Sequence, residues 1–246
     1  MIRALLPFIG MLLIFVALGI GGGLFIFYKF GQALPDYRQL ANYKPPVMTR
    51  VHTGDGTLLA EYALEKRVFV PVSAMPKNLI QAFLAAEDKN FYTHSGIDIA
   101  GVVRAVVVNL KNLGSSRRLV GASTITQQVA KNFLLTNEVS WHRKIKEAIL
   151  AFRIERAFKK DRILELYLNE IYLGLGSYGV AAAALNYFNK SLNELSIAEI
   201  AYIAALPKAP NNYHPIRHSE AARTHRDWVI GRMLEEKFIG PEDASQ

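Results

Sequence analysis

The sequence predicts a mainly α domain of ordinary size, preceded by one apolar membrane-type helix and a small β element. Three observations predict this. Ala4 to Tyr28 holds no charged residue and one proline near its start, and at helical rise that run exceeds a hydrocarbon core of about 30 Å. Between Val47 and Val72, short runs rich in β-branched and aromatic residues flank a Gly54-Asp55-Gly56 turn. From Met75 onward, apolar residues recur at helical spacing almost to the end, punctuated by helix caps.

Composition narrows the classes of function. The chain has 246 residues, 51% of them hydrophobic, enough for a membrane segment and one domain with a sizeable core. It has no cysteine, which excludes disulfides, thiol catalysis and zinc-thiolate sites and suits an oxidising compartment. The six histidines, at 52, 94, 142, 214, 218 and 225, show no paired ligand spacing. His214 and His218 are four apart, but Pro215 argues against a helix presenting both, so no metal site is expected. The formal net charge of +8 favours anionic partners: nucleic acid, lipid headgroups or phosphorylated substrates.

Residues 1–29 read as a short N-terminus and a membrane anchor. The apolar run is too long for the core of a signal peptide, and no Ala-x-Ala site closes it, so it is expected to remain uncleaved. Gly19 and Gly23 fit a small-xxx-small spacing but read as ordinary glycines of a membrane helix. Arg3 flanks one end and Lys29, Arg38 and Lys44 the other, so the charges leave the topology open. Residues 30–48 form a polar linker ending in Pro45-Pro46. A β element at 49–74 is expected to hold strands at 49–52, 58–62 and 67–70. The main domain takes 75–246. In it Asp98 can cap a helix to about Asn112, and Thr124-x-x-Gln127 and Ser196-x-x-Glu199 fit capping boxes. Helices are expected over about 141–158, 161–172 and 219–237, with Gly174, Gly176 and Gly179 breaking the chain between them.

Polar residues concentrate in three places. Glu87 and Asp88 stand where the apolar helix starting near Leu79 runs out. Glu87 follows Phe83 by four residues and so lies beside the buried stripe, where desolvation raises a carboxyl's pKa as a general base or acid requires. Alone, the stretch is equally a polar helix end. Gly121 to Asn132 packs hydroxyls, amides and Lys131 into two turns at a helix start, which suits anions. Arg143 and Glu147 share a face four residues apart, next to a stripe formed by Ile145, Ala148, Ile149 and Phe152, so Glu147 borders the core. Two carboxylates with cations suited to phosphate suggest glycosidic chemistry on a phosphorylated donor.

Taken together, these segments resemble the peptidoglycan glycosyltransferase domain (glycosyltransferase family 51) of class A penicillin-binding proteins, over about residues 48–240. Glu-Asp-x-x-Phe-x-x-His-x-Gly stands at 87–96, Gly-x-Ser-Thr-Ile-Thr-Gln-Gln at 121–128, Arg-Lys-x-x-Glu at 143–147, and Ile163 to Gly174 completes the set. The resemblance implies a lysozyme-like α fold with a cytoplasmic N-terminus, a single membrane pass and the domain on the periplasmic or external side. It implies polymerisation of lipid II into glycan strands by inverting β-1,4 bond formation, with release of undecaprenyl pyrophosphate. Glu87 would be the general base. Lys131, Arg143 and Lys144 would hold the pyrophosphate, and Glu147 would orient them or the donor site. Ser123, Thr124, Gln128 and Asn132 would line the donor cleft, and Asp88 and His94 would brace the Glu87 loop. Glu165 and Glu170 read as structural. The implied partners are lipid II, the growing lipid-linked glycan, the membrane and other cell-wall synthesis proteins, without nucleic acid. No cofactor is required; a divalent cation could bridge the diphosphate, but no ligand set demands it. The Ser-x-x-Lys and Lys-Thr-Gly motifs of a transpeptidase domain do not occur, so a truncated form of a longer protein is expected. Two other readings compete: a lytic glycan-cleaving enzyme of lysozyme-like fold, and a non-catalytic anchored module recruiting cell-wall partners.

Overall fold

The computed structural model describes residues 2–32, 34–43, 49–62, 66–114, 120–136, 138 and 140–244. α1 (Ile2–Gly31) is one continuous helix of 30 residues, as expected of a long run of helix-compatible apolar residues. Much of the expected anchor's side-chain character falls outside the described residues. Among the described residues no helix is long and apolar enough to cross a membrane. The α1 helix ends against the domain: Arg153 donates a hydrogen bond to the Gly31 carbonyl at 3.1 Å.

The β element differs in part from expectation. β1 (Thr49–His52) and β2 (Leu58–Tyr62) form an antiparallel hairpin with Thr49 opposite Tyr62. Gly56 closes its turn at φ 86°, a conformation that favours glycine. The third expected strand does not join them. β3 (Lys66–Arg67) instead pairs in parallel with β4 (Ser177–Tyr178), between the glycines that break the later helices. Its ladder stops at Arg67 because the Asn169 side chain takes over: Asn169 Oδ1 accepts from the Val70 N–H at 2.8 Å and its Nδ2 donates to the Val70 carbonyl at 2.9 Å. Glu170 pairs with Arg67 beside it, and Glu165 accepts the Val72 N–H at 3.0 Å. Both glutamates thus tie this segment to the helical domain.

The domain is built from α2 (Lys77–Glu87), α3 (Ile99–Lys111), α4 (Ile125–Leu134), α5 (Trp141–Ala157), α6 (Lys160–Glu170), α7 (Val180–Phe188), α8 (Ile197–Ala205), α9 (Ser219–Glu235) and a last turn, α10 (Pro241–Ala244). The two capping boxes form at α4 and α8 as their sequences require. α4 packs against α5 and α6, whereas α2 packs against α8 and α9. The two groups meet where the Tyr167 ring of α6 sets its edge against Phe83 of α2, 6.1 Å between centroids. Both rings are fully buried, and each such side chain contributes about 2–3 kcal/mol by leaving water. α3 is the exception. Its Asp98 cap holds the Gly101 N–H at 2.9 Å, yet most of its apolar residues face outward: Ile99 is 74% exposed and Leu110 63%.

Between α2 and α3 the chain turns sharply at Gly96, with φ 99°. A Cβ there would lie 2.8 Å from the Ala151 backbone carbon of α5, so both the conformation and the space require glycine. Gly96→Ala is therefore expected to cost about 2 kcal/mol or more of folding stability, measured by urea denaturation. An unchanged midpoint would contradict this packing.

Candidate active site

Glu87 is the last residue of α2 and Asp88 its C-cap. Asp88 is buried and braced from two directions. Its carboxylate accepts the Ile125 N–H of the first turn of α4 at 2.9 Å and the His94 Nε2–H at 2.9 Å. His94 Nδ1 accepts the Gly96 N–H at 3.1 Å, which fixes the tautomer with the proton on Nε2. Lys160 of α6 donates to the His94 carbonyl at 2.7 Å and to Glu155 at 2.7 Å. The turn carrying Glu87 is thus fastened to α4 and α6.

Glu87 itself is partly exposed, and its Oε2 accepts from Gln128 Nε2 of α4 at 2.7 Å. Burial is nevertheless the largest influence on its carboxyl and raises it above the ordinary value of 4.5; the Gln128 hydrogen bond and the charges of Lys208 and Lys131 act in the opposite direction. A carboxyl held by one amide in a desolvated setting is poised to take a proton.

The cations gather around Glu147 on α5. Glu147 is 2% exposed. Lys144 Nζ donates to its Oε2 at 2.6 Å and to Ser123 Oγ at 2.7 Å. Arg143 Nη1 stands 3.1 Å from Oε1, close enough to pair but at an angle that makes no hydrogen bond. Glu147 Oε1 and Arg143 Nε are accordingly both buried without a hydrogen-bond partner among the described residues. The side chain of Lys131, one turn beyond Gln128 on α4, makes no hydrogen bond among the described residues, and the residue is partly buried. Desolvation lowers its pKa, the carboxylates of Glu147 and Glu87 raise it, and Arg143 and Lys144 lower it. Lys131 therefore senses both carboxylates and the other two cations. This is an incompletely satisfied, net positive cluster of a kind that suits a multiply charged anion.

Of the residues singled out in the sequence, Glu87, Gln128, Lys131, Arg143, Lys144, Glu147 and Ser123 come together in this way. Asn132 is exposed. Thr124, expected in the cleft lining, is buried: its Oγ1 donates to the Gly96 carbonyl at 2.6 Å and accepts the Gln127 N–H at 3.2 Å. As an N-cap it faces its own helix end. Sequence reasoning missed Lys208, whose charge acts on Glu87 from a 3-10 turn after α8, and gave no role to Tyr167, whose buried hydroxyl has no partner among the described residues while burial first, and the charges of Glu87 and Asp88 second, hold its pKa well above the ordinary value of 10.0. Lys208 carries no motif signal, whereas Tyr167 stands inside the Ile163 to Gly174 motif. No group of three or more histidine, aspartate or glutamate side chains among the described residues could hold a metal ion.

The chain matches the family model described as Transglycosylase over residues 55–234. Penicillin-binding protein 1A of Rickettsia felis is 55% identical over 233 residues, 95% of this chain and 30% of that protein. Penicillin-binding protein 1A of Aquifex aeolicus is 48% identical over 234 residues, 95% and 32%. The chain spans about a third of the length of these relatives. A crystal structure of penicillin-binding protein 1A from Haemophilus influenzae aligns at 30% identity and a TM-score of 0.45, covering 82% of this chain and 20% of that one.

The raised pKa of Glu87 has a consequence for stability. A carboxyl whose pKa is higher folded than unfolded contributes stability that is full below the unfolded value and is lost as pH rises through the folded one. Glu87→Gln removes this loss and keeps an oxygen for Gln128. The variant is expected to gain stability relative to the unmodified protein as pH rises from about 4.5, followed by urea denaturation across pH. A difference that is flat or falls with pH would contradict the desolvated carboxyl.

Proposed function

The chain belongs to the transglycosylase family, and from that premise we propose that it polymerises lipid II into glycan strands, the glycosyltransferase activity of class A penicillin-binding proteins. The observation that carries this reading is the opposition of Glu87, desolvated and held by Gln128, to the cluster of Lys131, Arg143 and Lys144 around Glu147. Glu87 takes the proton from the 4-hydroxyl of the acceptor sugar. The freed oxygen attacks the anomeric carbon of the lipid-linked donor from the face opposite its diphosphate. The new β-1,4 bond forms as the bond to the diphosphate breaks, with inversion. Undecaprenyl pyrophosphate leaves with the bonding electrons, and Lys131, Arg143 and Lys144 stabilise its charge. Glu147 orients these cations, Ser123 holds Lys144, and Asn132 with Gln128 lines the donor side. Asp88, His94 and Thr124 act as positioning residues. A glycan-cleaving hydrolase has no leaving pyrophosphate to occupy three such cations.

The same reading places the protein at the membrane. The uncharged run from Ala4 to Tyr28 would anchor α1, with the N-terminus cytoplasmic and the domain outside. The outward apolar residues of α3, Ile99, Val102, Val103, Val106 and Leu110, give the domain a second surface for the bilayer that supplies its substrate.

Labelled lipid II in detergent tests the proposal. The unmodified protein is expected to form polymer, at a rate that falls on acidification with a midpoint above 4.5, and folded Glu87→Gln to be slower by about 10²–10⁴-fold. Equal rates would remove Glu87 as the base. No polymer from the folded, unmodified protein would contradict the function.

A further inference from the structure

We propose that the stacked rings of Tyr213, His225 and Trp228 form a shelf that holds an amino-sugar ring of the glycan chain beside the Glu87 centre. The proposal rests on the polymerase reading and extends it to a binding subsite on α9. Glu220, Ala221, Thr224, His225 and Trp228 lie on one face of α9, at spacings that recur over two turns. With Tyr213 of the preceding 3-10 turn they line an open cavity of about 500 Å³, within the size of sites for small molecules.

The three rings are stacked. Tyr213 and His225 centroids are 4.6 Å apart at 26°, and those of His225 and Trp228 are 5.0 Å apart at 13°. His225 is buried, whereas Trp228 is 45% exposed. Burial first, and the charge of Lys208 second, push the His225 imidazole down to about 4, so it stays neutral and the stack keeps its shape at neutral pH. The Tyr213 carbonyl accepts the Tyr202 hydroxyl at 2.9 Å, which fixes the backbone of its turn to α8. An exposed, rigid aromatic surface of this kind needs no ordering when a ligand binds.

Its surroundings select the ligand class. A pyranose ring offers an apolar C–H face for the rings and a polar edge that needs hydrogen bonds. The Glu220 carboxylate and Thr224 hydroxyl, on the same wall, make no side-chain hydrogen bond among the described residues. Glu220 accepts from an acetamide N–H or a hydroxyl, and Thr224 from a second hydroxyl. Lys208 joins this shelf to the reaction centre. Its Nζ stands 5.7 Å from the centroid of the Trp228 ring, and its charge acts on both His225 and Glu87. Lys208 is thus within electrostatic reach of both the shelf and the Glu87 carboxylate.

The chain has two tryptophans, so Trp141→Phe leaves Trp228 as the sole reporter. In that background, titration with the β-1,4-linked tetrasaccharide of N-acetylglucosamine, free of lipid and phosphate, is expected to change the Trp228 emission saturably. By ligand-observed saturation-transfer NMR, Trp228→Ala is expected to weaken binding about tenfold or more and Trp228→Phe by no more than about threefold, since phenylalanine keeps an aromatic face. A folded protein whose Trp228 emission ignores the tetrasaccharide, or an affinity unchanged in folded Trp228→Ala, would overturn the shelf. Polymerisation of lipid II without tetrasaccharide binding would overturn the shelf alone. Binding without polymerisation would overturn the function instead.

Discussion

The buried carboxylate of Asp88 is the interaction on which the rest of the site depends. The Asp88 backbone N–H caps the end of α2, while its carboxylate accepts the first free N–H of α4 and fixes His94, whose other nitrogen sets the turn at Gly96. Charged hydrogen bonds of this kind contribute about 1.5–3 kcal/mol each. Their larger effect is geometric, because they leave the two helix ends little freedom to separate. With α2 and α4 held at this distance, Gln128 reaches Glu87 and Lys131 comes within the fields of both glutamates. Thr124 completes the fastening by joining the α4 cap to the Gly96 carbonyl.

The roles proposed for the two glutamates differ because their surroundings differ. Glu147 lies buried among Arg143, Lys144 and Lys131, and those cations offset the cost of removing a carboxylate from water. Glu87 has an amide as its direct partner and more distant cations, so desolvation wins and its pKa rises. Surplus positive charge remains around Glu147, with Arg143 Nε left unsatisfied among the described residues. Under the proposed function, the departing diphosphate would supply the missing anion.

Much of this was legible in the sequence because it is encoded locally. The capping boxes at Thr124 and Ser196, the Asp98 cap and the Arg143–Glu147 spacing each fix a contact within one helical turn, and each appears in the structure. The features that were not legible arise from residues distant in the chain. The expected strand at 67–70 fails because the Asn169 side chain, about a hundred residues on, binds Val70 in place of a ladder. The burial of Thr124 depends on the Gly96 carbonyl, and Lys208 reaches Glu87 only through the packing of α8 and α9 against α2. The ring stack on α9 joins a helix to a separate turn, and three aromatic residues at those positions read equally well as core.

The central claim is that folding holds Glu87 as a carboxyl more easily protonated than an ordinary glutamate. It is tested most directly by titrating the ¹³C-labelled glutamate side chains by NMR and assigning the Glu87 resonance by its loss in Glu87→Gln. The account predicts a midpoint for Glu87 above 4.5 in the folded protein. A midpoint at or below that value would mean that Gln128 and the neighbouring cations outweigh desolvation, and would contradict the account of Glu87 as the proposed base.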